Sequence, residues 1–368
     1  MFRRLLTAVL ISSFSLVTLT LAEDNAKSHQ PTLTPQASGT TQLLISVSPV
    51  NDRIVWASGT GGTYVVTTDG GQTWKAAVVP GAESLQFRDV HGVSDKVAYL
   101  MSIGNNTTDF RIYKTVDGGK NWTIEFTNQT VNAFYDCFDF WTPRRGIAHS
   151  DSVNGVFPEL RTTNGKTWNS IAANMPPALA GEASFAASGT CVTTQGERNA
   201  WVATGGSATA RILATRDGGN TWNAYDTPLV SSPSAGAISV AFRDPYHGVV
   251  AGGDLATNTS ADMATSNDGG RTWTLTNTPP VQGSIFCLAY ARGRRGDDEG
   301  GDDEHNHTVV ITAEAAPDFS TGSAAWTPDE GHTWFSLPNV SGYWALAFAN
   351  PKAGWFVGNN GQILKISF

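Results

Sequence analysis

The residues best suited to chemistry are carboxylates that lie near a histidine, an arginine or an aromatic ring. The candidates for ligand binding are Asp136, His149, Asp151, Glu182, Arg211, Asp254 and Tyr343. Paired carboxylates are the groups that glycoside hydrolases use as acid and base or nucleophile. The same residues are equally typical of a solvated acidic surface, and sequence does not give the distances between them. None of them is therefore predicted to be catalytic.

Simpler structural explanations exist for several of these residues. The segment HSDSVNG places His149 and Asp151 in a loop, where the carboxylate can hydrogen-bond its own turn. Glu182 stands just before a predicted inner strand, and a buried glutamate needs a cationic partner. Arg211, at the start of the equivalent strand of the next unit, is the candidate for that partner. A structural ion pair and a ligand contact both remain open for this pair.

The chain contains three cysteines. Cys137 and Cys191 fall in the predicted first strands of neighbouring units, where a disulfide and a pair of buried thiols both fit. Cys287, in SIFCLAY, is predicted to be a core residue. No histidine is placed to serve a cysteine nucleophile. His305 and His307 stand beside acidic residues, but in a loop without imposed geometry, so neither a metal site nor a cofactor is predicted.

A short motif of the type Thr-x-Asp-Gly-Gly-x-Thr-Trp returns at intervals of about fifty residues, which is typical of a propeller or another repeat array. A degenerate third copy, TTNGKTW, lacks the aspartate and has Thr163 at that position. The repeated residues are Asp69, Trp74, Asp117, Trp122, Trp168, Asp217, Trp222, Asp268, Trp273, Asp329 and Trp334.

The chemistry of the motif predicts a structural hairpin. An aspartate before glycine can accept backbone N–H groups of its own turn, and the glycine can adopt positive φ. The tryptophan can pack between neighbouring units as a large apolar group. A calcium or sugar site in each unit is the alternative, but carboxylates spaced one per turn are not clustered as metal ligation requires.

Each period holds four short β-rich runs separated by Gly, Pro and Asn, which predicts an all-β propeller. Six units carry the motif, and a seventh begins at Tyr343 and stops where the motif would stand. We therefore predict seven blades in a single domain, residues 41–368, whose last blade is closed by the N-terminal segment, residues 23–40. Six blades with a loose tail is the alternative.

Two segments are predicted to lie outside the folded domain. Residues 1–22 resemble a signal peptide, with Arg3 and Arg4, an apolar run and a small-x-small end at Ala22. A retained membrane anchor is the alternative. No other stretch could span a bilayer, so the protein is expected to be secreted or periplasmic. Residues 291–308, with acidic residues and glycine, are expected to be a disordered loop.

The motif resembles the Asp-box, or BNR repeat, of sialidases, sortilin-like receptors and xyloglucan hydrolases. The whole chain after residue 22 is similar to the photosystem II stability/assembly factor family, through the repeated DGG-x-TW and the closing GWFVGNNGQILK. DCFDFW and GEASFAASGT resemble its secreted, non-photosynthetic bacterial branch. This resemblance implies that the box lies at the outer rim, on the face away from the ligand.

The resulting hypothesis is an exported, non-enzymatic binding or assembly propeller. It would engage a protein or carbohydrate ligand on the face opposite the boxes, as a monomer. A secreted glycoside hydrolase, sialidase-like or of another Asp-box type, is the alternative, although the sequence lacks the Arg-Ile-Pro motif that resemblance to sialidases would imply. The net charge of −8 without an evident Lys/Arg cluster argues against nucleic acid and against a photosystem client.

Overall fold

The fold is known from a computed structural model that describes residues 30–259, 261–292, 305–316, 319 and 321–368. Its strands form seven four-stranded antiparallel sheets. Short 3-10 turns are also present at Thr107–Asp109, Ala172–Asn174 and Asn359–Gly361. Within the described residues, no helix is long and apolar enough to cross a membrane.

In the first three blades, strands follow one another in chain order from the centre outwards. They are β2 (Leu44–Pro49), β3 (Val55–Gly59), β4 (Thr63–Thr67) and β5 (Lys75–Val78); β6 (Gln86–Gly92), β7 (Ala98–Ile103), β8 (Arg111–Thr115) and β9 (Thr123–Thr127); and β10 (Tyr135–Thr142), β11 (Arg145–Ser150), β12 (Leu160–Thr162) and β13 (Trp168–Ser170).

The next three blades repeat this order. They are β14 (Val192–Gln195), β15 (Asn199–Thr204), β16 (Arg211–Thr215) and β17 (Asn223–Asp226); β18 (Ala235–Phe242), β19 (Gly248–Asp254), β20 (Met263–Ser266) and β21 (Thr274–Leu275); and β22 (Ser284–Tyr290), β23 (Val309–Ala315), β24 (Thr321–Thr327) and β25 (Phe335–Leu337).

The seventh blade closes the ring with strands from both ends of the chain. It contains β26 (Tyr343–Asn350), β27 (Ala353–Gly358), β28 (Gln362–Ser367) and β1 (Thr32–Ala37). β1 pairs antiparallel with β28, from Thr32 opposite Ser367 to Ala37 opposite Gln362. The first strands of neighbouring blades contact one another, and β2 contacts β26. The predicted seven-bladed propeller with its N-terminal closing strand is confirmed, and the six-blade alternative is wrong.

Apolar side chains between neighbouring blades form the core. Trp122, from the second box, packs edge-on against Trp56 and Tyr64 of the first blade, with ring centroids 6.4 and 5.2 Å away. Trp74 packs instead against the seventh blade, and its indole N–H donates to Gln36 of β1 at 3.0 Å. These tryptophans therefore join one blade to the blade before it in the ring.

Two predictions fall on residues that are not described. The signal peptide, residues 1–22, lies wholly outside the described residues. So do residues 293–304, the greater part of the segment 291–308 that is expected to be disordered. Both expectations therefore stay predictions.

Candidate functional site

The alternating direction of the strands gives the propeller two faces. We call box face the one that carries the repeated turns between third and fourth strands, with the turns between first and second strands. The opposite face carries the remaining loops. Asp136 near the start of β10, His149 near the end of β11 and Arg211 at the start of β16 all lie on the opposite face, as do Glu182, Asp254 and Tyr343.

The box turns satisfy their own polar groups. In the first, the Asp69 carboxylate accepts the N–H and the hydroxyl of Thr73 at 2.9 and 2.6 Å, and the hydroxyl of Thr67 at 2.8 Å. These hydrogen bonds, the one from the Thr73 hydroxyl above all, lower the pKa of Asp69 to about 2. Gly70 adopts a φ of 76°, which favours glycine. The turn thus uses its carboxylate to hold its own backbone and hydroxyl groups.

The third box differs from the sequence alignment. Asn164, rather than Thr163, takes the place of the aspartate: its side-chain oxygen accepts the N–H groups of Lys166 and Thr167, both at 2.9 Å. The Thr162 hydroxyl accepts the N–H of Gly165 at 2.9 Å, as Thr67 does for Gly71. The turn is therefore built like the others but carries no negative charge.

The central channel is closed by residues 183–190, which we call the plug. Ala186 O accepts a hydrogen bond from Arg88 of the second blade at 3.0 Å. The Ser188 hydroxyl donates to Phe286 O of the sixth blade at 2.6 Å, and the Thr190 hydroxyl lies 2.7 Å from that of Ser239 in the fifth. One segment thus bridges blades on different sides of the channel.

The close fit of the plug depends on its small residues. Gly189 has a φ of 75°, and a Cβ there would lie 2.3 Å from Oδ1 of Asp89 and 2.8 Å from Oγ of Ser46. The plug also corrects the sequence prediction, because the inner strand of the fourth blade begins only at Val192 and not directly after Glu182. A cavity of about 90 Å³ remains on the box side of the plug, lined by Thr190, Arg243 and Tyr290 among others.

A disulfide between Cys137 and Cys191 fastens the end of the plug to the inner strand of the third blade. The two cysteines are 54 residues apart in sequence, and their Cα atoms are 5.9 Å apart. Cys287 is a buried cysteine of β22 outside this disulfide, as its apolar setting in sequence predicts. Its sulfur accepts the N–H of Leu346 at 3.3 Å.

Asp136 and Asp151 form a buried acid pair on the opposite face. Their carboxyl groups are hydrogen-bonded to each other, and burial together with the charge of Asp151 raises the pKa of Asp136 well above its ordinary range. Burial also raises the pKa of Asp151, whose carboxyl group accepts the N–H of Ser184 in the plug at 2.8 Å. The raised pKa values are those of a pair that retains one proton between its two carboxyl groups, and the bond to Ser184 fixes one end of the plug.

Glu182 and Arg211 form a buried ion pair within the fourth blade. Arg211 donates from Nε to Glu182 Oε1 at 2.9 Å and from a terminal nitrogen to Oε2. Glu182 also accepts the hydroxyl of Thr204 and the N–H of Leu179, both at 2.7 Å. The expected partnership is present, but Arg211 starts the third strand of the same blade, so its predicted place in the next unit is wrong.

His149 is turned into the blade and away from solvent. Its Nδ1 lies 2.7 Å from Oε2 of Glu159, and both side chains are fully buried. Burial raises the pKa of Glu159. Glu159 was not among the predicted residues, because nothing in its local sequence, PELRT, marks it as the partner of a histidine.

The remaining two predicted residues, Asp254 and Tyr343, differ in solvent exposure. Asp254 is half-buried, accepts the N–H of Ala256 and the hydroxyl of Ser234 at 2.9 Å each, and has a lowered pKa, chiefly from the bond to Ala256. Tyr343 is 9% exposed, and burial raises its pKa. Its carbonyl accepts a hydrogen bond from Thr312. Only Asp254 and Asp151, of the seven candidates, combine a carboxylate with partial exposure.

An apolar surface that the sequence did not predict lies at the channel mouth on this face. We call it the floor; its partly exposed members are Leu43, Phe185, Leu255 and Phe319. Beneath them, Phe286 and Trp344 meet edge to face with centroids 5.2 Å apart. Further out, Val131, Val156 and Val230 are exposed in the loops of this face.

Charge is divided unequally between the faces. Among the described basic residues, only Arg88, Arg111 and Arg211 lie on the opposite half of the blades. The others lie towards the box face, where Lys114, Arg144 and Lys166 gather at the neutral third box. Burial, and then the charges of Lys166 and Arg144, lower the pKa of Lys114 against the attraction of Glu125. The sequence did not reveal this gathering, because the blades bring together residues far apart in the chain.

The described residues contain no group of His, Cys, Asp and Glu side chains that could hold a metal ion. The direct contact of Asp136 with Asp151 also leaves no room for a sugar between them, since glycosidase carboxylates are about 5 Å or more apart. The arrangement is suited to binding a partner at its surface, by apolar contact on the floor and by charge around it.

Comparisons with known proteins agree on the fold. No family model matches the chain. It is 26% identical over 239 residues to the chloroplastic photosystem II stability/assembly factor HCF136 of Cyanidioschyzon merolae, which covers 60% of this chain and 51% of the relative. The chain thus spans about half the length of this curated relative.

Two solved structures share the propeller. The structure of YCF48 bound to D1 peptide superposes with a TM-score of 0.60 at 16% identity, covering 92% of this chain and 97% of that one. The GH74 xyloglucanase of Xanthomonas campestris gives a TM-score of 0.58 at 13% identity, covering 90% of this chain and 53% of that one. At such identities the likeness shows the fold, which is shared by a binding protein and an enzyme.

Proposed function

We propose that the protein is an exported, non-enzymatic binding propeller, similar to the photosystem assembly factors, that engages a segment of a partner protein on the opposite face. The observation that carries this proposal is the contrast between a plugged channel and the partly exposed apolar floor above it. The floor offers contact area, whereas Glu182, His149 and Asp136 are committed to partners inside the protein.

The similarity to proteins of photosystem assembly supports a protein ligand. A relative is named for assembly of photosystem II, and a solved structure with the same fold holds a peptide. We do not extend the photosystem client to this chain, whose own partner is to be found by experiment. The expected signal peptide supports export, and the mature protein would then begin at Glu23, which intact-mass measurement of the purified protein tests.

A pair of exposed valines allows a matched crosslinking experiment. Val131 lies on the opposite face and Val116 in the second box turn, with exposures of 67% and 66%. A photoreactive amino acid is placed at one or the other position in cells that produce the protein, and crosslinked products are identified by mass spectrometry. We expect a specific protein partner from position 131 and background from position 116. Crosslinks from position 116 alone would refute the proposed face.

A further inference from the structure

The floor is built from parts that are distant in sequence and that pack on a shared aromatic layer. Leu43 precedes β2, Phe185 belongs to the plug, Leu255 follows β19 and Phe319 follows β23. Phe319 contacts Phe286 and Trp344 at centroid distances of 5.3 and 6.0 Å. Partly exposed apolar groups over a packed aromatic layer can receive a large apolar side chain with little loss of their own conformational freedom.

Carboxylates stand beside this floor. Asp254 directly precedes Leu255, and Asp151 is hydrogen-bonded to the N–H of Ser184, next to Phe185. Asp254 is half-buried, and Asp151 is a partly exposed residue whose carboxyl belongs to the buried acid pair. A ligand seated on the floor would therefore extend past the Asp254 carboxylate on one side and, on the other, past the acid pair, which keeps one negative charge when a single proton is bound.

The described cations of this half of the molecule are already engaged. The Arg88 guanidinium lies over the Trp344 ring at 5.7 Å, donates to the plug and faces the charge of Asp136. Arg111 lies 3.7 Å from Asp109, and Arg211 is paired with Glu182. Glu83 and Asp226 add exposed carboxylates on the same half. The surface around the floor therefore presents negative charge to an approaching ligand.

We infer that the floor receives an apolar side chain of an extended, positively charged segment of a partner protein. The inference rests on the proposed function and specifies the chemistry of its ligand. The apolar group supplies contact on the floor, and flanking lysines or arginines lie beside Asp151 and Asp254. A negatively charged segment would instead meet like charge there.

Three synthetic peptides test this inference by fluorescence anisotropy. One has a central Phe between Lys-Ser repeats, the second has Glu in place of Lys, and the third has Ala in place of Phe. We expect the Lys-Phe peptide to bind about tenfold more tightly than either of the others at low salt, with the preference over the Glu peptide shrinking as salt is added. Equal or tighter binding of the Glu peptide, or undetectable binding of the Lys-Phe peptide, would overturn the inference.

Matched variants locate the binding. Asp254→Asn should weaken binding of the Lys-Phe peptide about threefold. Asp95→Asn makes the same charge change on the box face and should leave that affinity unchanged. Leu255→Ser should abolish the preference of the protein for the peptide with Phe over the peptide with Ala. If the Leu255→Ser variant does not fold, Leu43→Ser takes its place in the experiment. Equal effects of Asp254→Asn and Asp95→Asn would refute binding at the floor.

The peptide-binding experiment and the crosslinking experiment can fail independently of each other. A partner captured from position 131 that binds through an acidic segment leaves the proposed function standing and overturns this inference. Capture from position 116 alone removes the proposed function itself.

Discussion

The box face and the opposite face satisfy their polar groups in different ways. The acidic or amide side chain of each box turn makes its hydrogen bonds within eight residues, as Asp69 does with Thr67 and Thr73. On the opposite face the bonds join distant segments, such as Asp151 with Ser184 and Arg88 with Ala186. The hydrogen bonds of the box side chains are therefore local, whereas those of the other face form one arrangement organised around the plug. Substitutions on the box face should therefore have local effects, and substitutions on the opposite face should affect residues throughout the plug.

Removal of the disulfide should have the largest effect. A link between residues 54 positions apart restricts the unfolded chain, and its loss in a Cys137→Ala/Cys191→Ala variant is expected to lower the free energy of unfolding by about 4 kcal/mol. Hydrogen exchange should rise at residues 183–190 and stay unchanged at the N–H groups of Gly71 and Thr73. An equal rise in both places would show that the two faces are not independent.

Loss of the arginine from the buried ion pair should have the next largest effect. Arg211→Met leaves the Glu182 carboxylate buried without its cation and is expected to lower the free energy of unfolding by about 3 kcal/mol in urea titrations. Adding Glu182→Gln should restore a large part of this loss. Arg161→Met is the control on the box face, because Arg161 is only half-buried and donates hydrogen bonds to Gly218 O and to Asn220. Similar losses of unfolding free energy in the two variants would contradict the difference between the faces.

The acid pair predicts a pH dependence opposite in sign to that of the boxes. Because the pKa of Asp136 is raised in the folded protein, the pair stabilises the fold at low pH and loses that contribution as pH rises through the folded pKa. Box carboxylates such as Asp268, with a pKa of about 2, lose theirs only as pH falls towards that value.

Asp136→Asn tests the sign, because the amide donates to Asp151 at every pH. The variant should gain unfolding free energy relative to the parent as pH rises above the ordinary aspartate range, because only the parent loses a stabilising proton there; urea titrations at a series of pH values measure the gain. Arg88 and His149 also face the pair, and their charges reduce the size of the effect. A parallel pH profile for the two proteins would show that the pair does not share a proton.

The parts of the molecule that could be predicted are those that sequence encodes locally. The box turns repeat the same residue types at the same spacing, and the tryptophan spacing gives the blades. The unmatched unit after Tyr343 required a strand from elsewhere, which β1 supplies. These inferences needed only turn chemistry and periodicity.

The plug and the pairs around it could not be read in the same way. GEASFAASGT has the composition of an inner strand, and nothing local shows that it leaves the sheet and crosses the channel. The pairing of His149 with Glu159 and of Asp136 with Asp151 depends on how strands meet in three dimensions. Asn164 was missed for a different reason: the third box is one residue shorter, which shifts the alignment by one position.

The third box provides the test of the two faces with the smallest expected effect. Asn164→Asp restores the usual residue type and adds one negative charge near Lys114, Arg144 and Lys166, where it opposes their mutual repulsion. We expect a gain of about 0.3–0.5 kcal/mol at low salt that disappears at high salt, measured by thermal unfolding. Asp217→Asn makes the reverse change in the next box and should lose a similar amount. An effect of Asn164→Asp on hydrogen exchange in the plug would contradict the local character of the box face, because no described bond joins that turn to the channel.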